Sequence, residues 1–415
     1  MNGTTYRCRW IIPPGQEPIH DGEFWIDDAG VLRSVGRRNA TGHVSAQSHR
    51  VVDLGDVAVT SPLINSHTHL EFSDLNRPVG RRGIAFTDWI AEVIQTRLSG
   101  DRNPHHAIHM GLQQSRDFGV GTIVDITTPP PCDEMTVDAA ESVTIERLDD
   151  VHRIRLAEVI GLDDSRAAER LSAGIEASQS SATDGLSPHA PYSLDPAVFD
   201  QAVRWCDAHR RPIAMHVAET MAERQFVEFG DGPMAKAFAA LGIDAAANYP
   251  FRSDAIETIC KTLASRRTPS PTLVVHGNYL SHHEMDALSK SDALSVVYCP
   301  RTHDFFDHSN YPLDALRKRG LRVVLGTDSR ASNPDLNLWS DVRFASQRHP
   351  EISPLNWLSM VTDFAAKAIA IQSGLTEGRP ARWVTFDTPR STTVAALQTE
   401  LMVADHPRFY NASPY

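Results

Sequence analysis

The alternation of apolar and polar positions changes rhythm twice along the chain. Residues 5–60 alternate in short stretches such as Glu23-Phe24-Trp25-Ile26 and Val31-Leu32-Arg33-Ser34-Val35, broken by Gly, Asp and Asn turns. That is the pattern of half-buried strands. Residues 378–404 return to it with Arg382-Trp383-Val384-Thr385-Phe386. Between the two, short apolar runs alternate with longer amphipathic segments, the βα rhythm of a parallel sheet. Strands are expected at 58–64, 119–126, 154–161, 184–190, 212–217, 272–276, 294–299 and 322–327, with helices such as 195–209, 281–289 and 355–371 between them.

Eight strands in a βα series predict a (β/α)8 TIM barrel with insertions. A doubly wound open sheet is disfavoured, because no glycine-rich phosphate fingerprint follows the first strand. The flanking regions are expected to pair into one small β-sandwich domain built from both chain termini. The division would be 1–60 with 376–415 for the sandwich and 61–375 for the barrel.

Barrel enzymes carry their chemistry at the C-terminal ends of the strands. The first strand end holds His67 and His69, two apart, so both imidazoles share one side of an extended backbone. Taken alone, such a pair is a weak signal. Further along stand His189 in Ser187-Pro188-His189-Ala190-Pro191-Tyr192-Ser193, His216 and Glu219 in Met215-His216-Val217-Ala218-Glu219, His276 in His276-Gly277-Asn278, and Asp328 in Gly326-Thr327-Asp328-Ser329. Metal-competent groups thus recur at the ends of strands one, five, six and eight, which core packing alone does not produce. Asp328 has a competing account as a helix N-cap, since Ser329 to Pro334 leads toward a helical run. His105, His106, His109, His282 and His283 fall on polar helical positions and read as solvated surface; His303 and His308 lie near the barrel mouth without an assignable role.

Composition narrows the class. The 415 residues are 41% hydrophobic and 22% charged, enough to bury a large core. A net charge of −12 argues against a nucleic-acid or membrane-surface partner and leaves a small-molecule substrate. Five scattered cysteines with no CxxC pair, and no apolar leader or membrane span, point to a cytoplasmic protein. A homodimer is the oligomer such chains most often form.

The joint pattern resembles the amidohydrolase superfamily, in its deaminase and chlorohydrolase branch, from the β segments before residue 60 to about residue 386. Glu71-Phe72-Ser73, Phe86-Thr87-Asp88-Trp89-Ile90, Cys299-Pro300-Arg301-Thr302-His303 and Ala331-Ser332-Asn333 are further similar to the 6-aminodeoxyfutalosine deaminases of menaquinone biosynthesis. The chain departs from that family at Ala381-Arg382, where Ala-Asp is usual, and in the long segment 231–271.

The resemblance implies one divalent metal on His67, His69, His216 and Asp328. Three imidazoles and a carboxylate suit Zn2+, and Fe2+ tolerates the same donors. Asp328 would act as general base and His276 would steady the attacked carbon's oxygen. Glu219 would protonate a ring nitrogen, a step that deamination needs and amide hydrolysis does not. Binuclear relatives carry a carboxylated lysine at the fourth strand end; His189 stands there instead, which implies a single metal and a substrate contact. Glu71, Trp89 and Ser329 are the other candidate substrate contacts. The expected reaction is therefore hydrolytic release of ammonia from an aminopurine nucleoside, 6-aminodeoxyfutalosine first. The alternatives are S-adenosylhomocysteine, methylthioadenosine, guanine or a halogenated heteroaromatic ring; a barrel that binds metal without catalysis is the non-enzymatic one.

Overall fold

The computed structural model describes residues 3–38, 50–99, 102–129, 150–162, 164–179, 181–240, 242, 249–372 and 374–412. Cys132 and part of the 231–271 segment lie outside them. No helix among the described residues is long and apolar enough to cross a membrane.

The N-terminal region forms β1 (Gly3–Ile12), β2 (Ile19–Asp27), β3 (Leu32–Arg37), β4 (Arg50–Asp53) and β5 (Val57–Thr60). Eight strands then follow: β6 (Leu63–Thr68), β7 (Val120–Thr127), β8 (His152–Val159), β9 (Gly185–Pro188), β10 (Ile213–Val217), β11 (Thr272–His276), β12 (Leu294–Tyr298) and β13 (Arg322–Leu325). They pair in parallel and in sequence order, as a βα barrel requires. Finally β14 (Arg382–Asp387) and β15 (Arg408–Asn411) return to the first sheet, whose order is β15-β14-β5-β1-β2-β3 with β4 also on β1.

Both chain ends therefore meet in one sheet. Its far edge is closed by the segment before β14: Leu32 N–H donates to Arg379 O at 2.8 Å, and Gly378 N–H to Leu32 O at 2.7 Å. Curled this way, the sheet encloses its own core of Ile11, Phe24, Ile26, Leu32, Val59 and Trp383.

Two expected elements are split. The run 58–64 spans β5 and β6, because Ser61-Pro62 interrupts the ladder as the chain passes from the terminal sheet into the barrel. The helix expected over 355–371 breaks at Val361-Thr362 into Pro354–Met360 and Asp363–Ala368. Val361 O leaves the helix to accept the N–H of Ile64 at 2.8 Å, supplying β6 with a partner at the barrel base. The other two helices match their signals. Asp195 caps Pro196–Ala208 by accepting from Ala197 and Val198 N–H, and Ser281 with Glu284 forms a capping box on His282–Leu288. His105, His106 and His109 ride on the helix Pro104–Asp117 and are at least partly exposed.

Ile64, Val124, Ile126, Ile154, Leu156, Ala214, Leu273, Val275, Val297 and Val324 fill the barrel interior. The barrel closes where β13 meets β6, and here side chains replace a regular ladder. Asn65 Nδ2 donates to Thr327 Oγ1 at 2.8 Å, its Oδ1 accepts from Thr327 N–H at 3.0 Å, and Thr68 Oγ1 donates to Asp328 O at 2.8 Å. The strands come so close that a Cβ on Gly326 would stand 2.8 Å from His67 O and 2.9 Å from its N. Only glycine fits there. Gly326→Ala is expected to cost about 1–3 kcal/mol of stability through overpacking, read as a lower denaturant midpoint; an unchanged midpoint would show that the seam has slack.

Candidate active site

Strand alternation and two deliberate irregularities converge on one point at the C-terminal end of the barrel. Ala214 packs in the interior, so His216, two residues on, shares its face. Val275 also faces inward, and strict alternation would turn His276 away. Its left-handed backbone (φ 66°) brings the ring back. On β6 the pairing with β7 shifts register between Asn65 and Thr68, an irregularity that re-aims His67. Asp328, just past β13, is also left-handed (φ 58°), as is Ala218 after β10 (φ 54°). Non-glycine residues rarely adopt this region, and such strain concentrates where function over-determines the backbone.

The rings stand close together. Centroids of His67 and His69 are 5.0 Å apart, His67 and His216 5.0 Å, and His216 and His276 5.4 Å. Asp328 Oδ1 is 3.5 Å from His67 Nε2 and 3.9 Å from His69 Nε2. Donor atoms of His67, His69 and Asp328 lie within 4.8 Å of one another, as do those of His67, His216 and His276.

His67 is fully buried, and neither of its ring nitrogens has a hydrogen-bond partner. A buried polar atom left so is costly unless something else satisfies it. Burial holds His67, His69 and His276 well below the ordinary histidine range and His216 at about 4, with neighbouring imidazoles adding to the effect at all four. Neutral imidazole is the form that ligates a metal. His216 Nδ1 is committed to His189 O at 2.8 Å, which leaves Nε2 for the cluster. An orphaned buried histidine, neutral partners and one carboxylate make this donor set fit a divalent cation.

Asp328 is not a helix cap: residues 327–337 contain no helix, and the next one begins at Leu338. Its carboxylate instead accepts from Ser329 N–H at 2.7 Å and from Ser332 Oγ at 3.3 Å.

Glu219 sits beside the cluster, with Oε1 3.5 Å from His276 Nε2. Burial, then the negative charges of Asp328 and Glu223, push its carboxyl well above the usual range. Its backbone is pinned from both sides. Glu223 accepts from Ala218, Glu219 and Thr220 N–H in a capping box on the helix Met221–Phe229, and Asn278 Nδ2 donates to Glu219 O at 3.0 Å.

A cavity of about 700 Å³ opens over these groups. One stripe of the helix Phe86–Leu98 forms its apolar wall, with Phe86, Trp89, Ile90, Val93, Ile94 and then Arg97 at helical spacing. Trp89 ties this helix to the last strand's loop through Nε1–H to Ala331 O at 3.1 Å, leaving its ring face on the cavity. His189 lines the cavity with Nδ1 held by Ser193 Oγ at 2.5 Å, and Ser329 lines it beside Asp328. Glu71 does not line it: its carboxylate is taken by Arg97 and Thr128. Glu158, Arg97 and Phe238, which carry no sequence motif, also line it, as does Tyr192 of the His189 segment. Glu158 stands at the end of the third barrel strand, where position is its only signal in the sequence.

The chain is similar to an aminodeoxyfutalosine deaminase of Deinococcus radiodurans, 25% identical over 333 residues, covering 74% of this chain and 72% of that one. It is 24% identical over 391 residues to a 5-methylthioadenosine/S-adenosylhomocysteine deaminase of Pyrococcus furiosus, covering 88% and 81%. The Helicobacter pylori aminofutalosine deaminase solved in complex with methylthio-coformycin superposes with a TM-score of 0.79 at 19% identity, over 99% of this chain and 98% of that one. The profile of the Amidohydrolase family matches residues 59–408, from the entry into the barrel through its return to the terminal sheet. With the barrel and its strand-end histidines and aspartate in place, the chain belongs to the amidohydrolase family.

Proposed function

We propose that this protein is a mononuclear, zinc-dependent hydrolytic deaminase that releases ammonia from an aminopurine nucleoside, with 6-aminodeoxyfutalosine the best-fitting substrate. The observation that carries this reading is Glu219, a buried carboxyl whose Oε1 stands 3.5 Å from His276 Nε2 beside the histidine–aspartate cluster. A proton donor so placed serves a ring nitrogen, which a peptide-like substrate lacks.

His67, His69, His216 and Asp328 would hold the metal. When bound, zinc lowers the pKa of water toward neutrality and so supplies the nucleophile at physiological pH. Asp328 takes the proton that the attacking water loses. His276, facing both Glu219 and the cluster, donates to the oxygen that becomes the product carbonyl. Glu219 gives its proton to the ring nitrogen next to the attacked C–NH2 carbon. Proton return to the amino group lets the C–N bond break, so that amine and water become carbonyl and ammonia. His189 stands where binuclear enzymes place their lysine, and no lysine among the described residues lines the cavity, which supports one metal and a substrate contact for His189.

The cavity's apolar helix stripe favours a nucleoside extended by an apolar group over a bare base. The names of the Deinococcus and Helicobacter relatives agree with that choice, and the Pyrococcus relative keeps thioether nucleosides as the second reading.

Chelation is expected to abolish ammonia release and Zn2+ to restore it; full activity in metal-free protein would refute the mechanism. Glu219→Gln should retain one metal while kcat drops about 100-fold or more, the range of a lost general acid. A kcat near wild type would remove Glu219 from its role. In an ammonia-release comparison of 6-aminodeoxyfutalosine, adenosine, methylthioadenosine, S-adenosylhomocysteine and guanine, the first should show the highest kcat/KM. Guanine as the best substrate would overturn the nucleoside assignment.

A further inference from the structure

We infer that Glu158 is a specificity-determining residue that accepts hydrogen bonds from the vicinal hydroxyls of the substrate's ribose, an inference that rests on the nucleoside reading above. Ile154 and Leu156 on β8 pack in the barrel interior, so Glu158, two residues further, points inward at the strand's C-terminal end. Its side chain is only 4% exposed, yet it lines the substrate cavity.

Its surroundings do not satisfy it. The closest cationic candidate, His189 Nε2, lies 3.8 Å away, beyond hydrogen-bond reach. Arg97 attracts Glu158 by charge but spends its hydrogen bond on Glu71. Among the described residues no N–H or O–H donates to Glu158. A carboxylate that lines the cavity and accepts no hydrogen bond can take a ligand's hydroxyls.

Position selects which hydroxyls. The His189 ring lies between Glu158 and His216, with ring centroids of His189 and His216 5.0 Å apart. The carboxylate is thus one imidazole away from the cluster that meets the reacting C–NH2 carbon. At that remove a purine nucleoside offers ring nitrogens, which accept, and sugar hydroxyls, which donate. Two carboxylate oxygens match two adjacent O–H groups, the same chemistry by which acidic residues hold ribose in dinucleotide sites. Glu71, a candidate substrate contact in the sequence, has its carboxylate bound to Arg97 instead.

The test compares binding of adenosine and 2′,3′-dideoxyadenosine by calorimetry to the zinc-loaded Glu219→Gln protein, with and without Glu158→Gln. Hydrogen bonds to a charged acceptor predict that the parent prefers adenosine by about 30-fold and that Glu158→Gln reduces the preference to about threefold or less. Glu158→Asp, which withdraws the carboxylate by one methylene, should fall between them and serves if the glutamine variant folds poorly. A preference that Glu158→Gln leaves intact, or a parent that binds both nucleosides equally, overturns the inference alone. Failure of the parent to bind either nucleoside, together with no ammonia release from 6-aminodeoxyfutalosine by the wild type, overturns the nucleoside reading and this inference with it.

Discussion

The candidate site depends on how the barrel closes. The first and last barrel strands meet at Gly326, where any side chain would run into the backbone of His67. Asn65 and Thr68 complete the seam through Thr327 and the Asp328 carbonyl. This contact brings the beginning and end of the barrel sequence together and sets Asp328 against His67 and His69. A looser seam would leave a histidine pair on one strand and an aspartate on another, with nothing to share.

Closure also explains the unusual backbone around the cluster. Asp328 and His276 adopt left-handed conformations that cost free energy in isolation. Each is held by a specific contact: Asp328 N–H donates to His67 O at 3.1 Å, and the buried Tyr311 hydroxyl donates to His276 O at 2.9 Å. The same burial that strengthens these bonds pushes the imidazoles down toward their neutral form and the Glu219 carboxyl up toward its protonated one. Removal of the site from water thus acts on both in the direction that the proposed chemistry needs.

The barrel strands were legible because buried parallel strands are short continuous apolar runs between amphipathic helices, and their ends could be searched for chemistry directly. His67, His69, His216, His276, Glu219 and Asp328 were found in that way, and the structure draws them together. Breaks that depend on distant partners were not legible. The end of the helix at Val361 is set by an Ile64 N–H almost 300 residues earlier in the chain. Glu71 looked like a cavity residue from its place after the histidine pair, but its direction is decided by Arg97 on another helix. Glu158 was hidden differently: a single carboxylate at a strand end has no motif, and its meaning comes only from the cavity and the missing donors around it.

If one metal ion is held where the two ends of the barrel meet, anomalous diffraction at the zinc edge from crystals of the zinc-reconstituted protein should show a single peak. It should lie about 2.0–2.2 Å from a ring nitrogen of His67, His69 and His216 and from an Asp328 carboxylate oxygen. A second strong peak beside His189, or no peak within reach of His67 at full zinc loading, would contradict this placement.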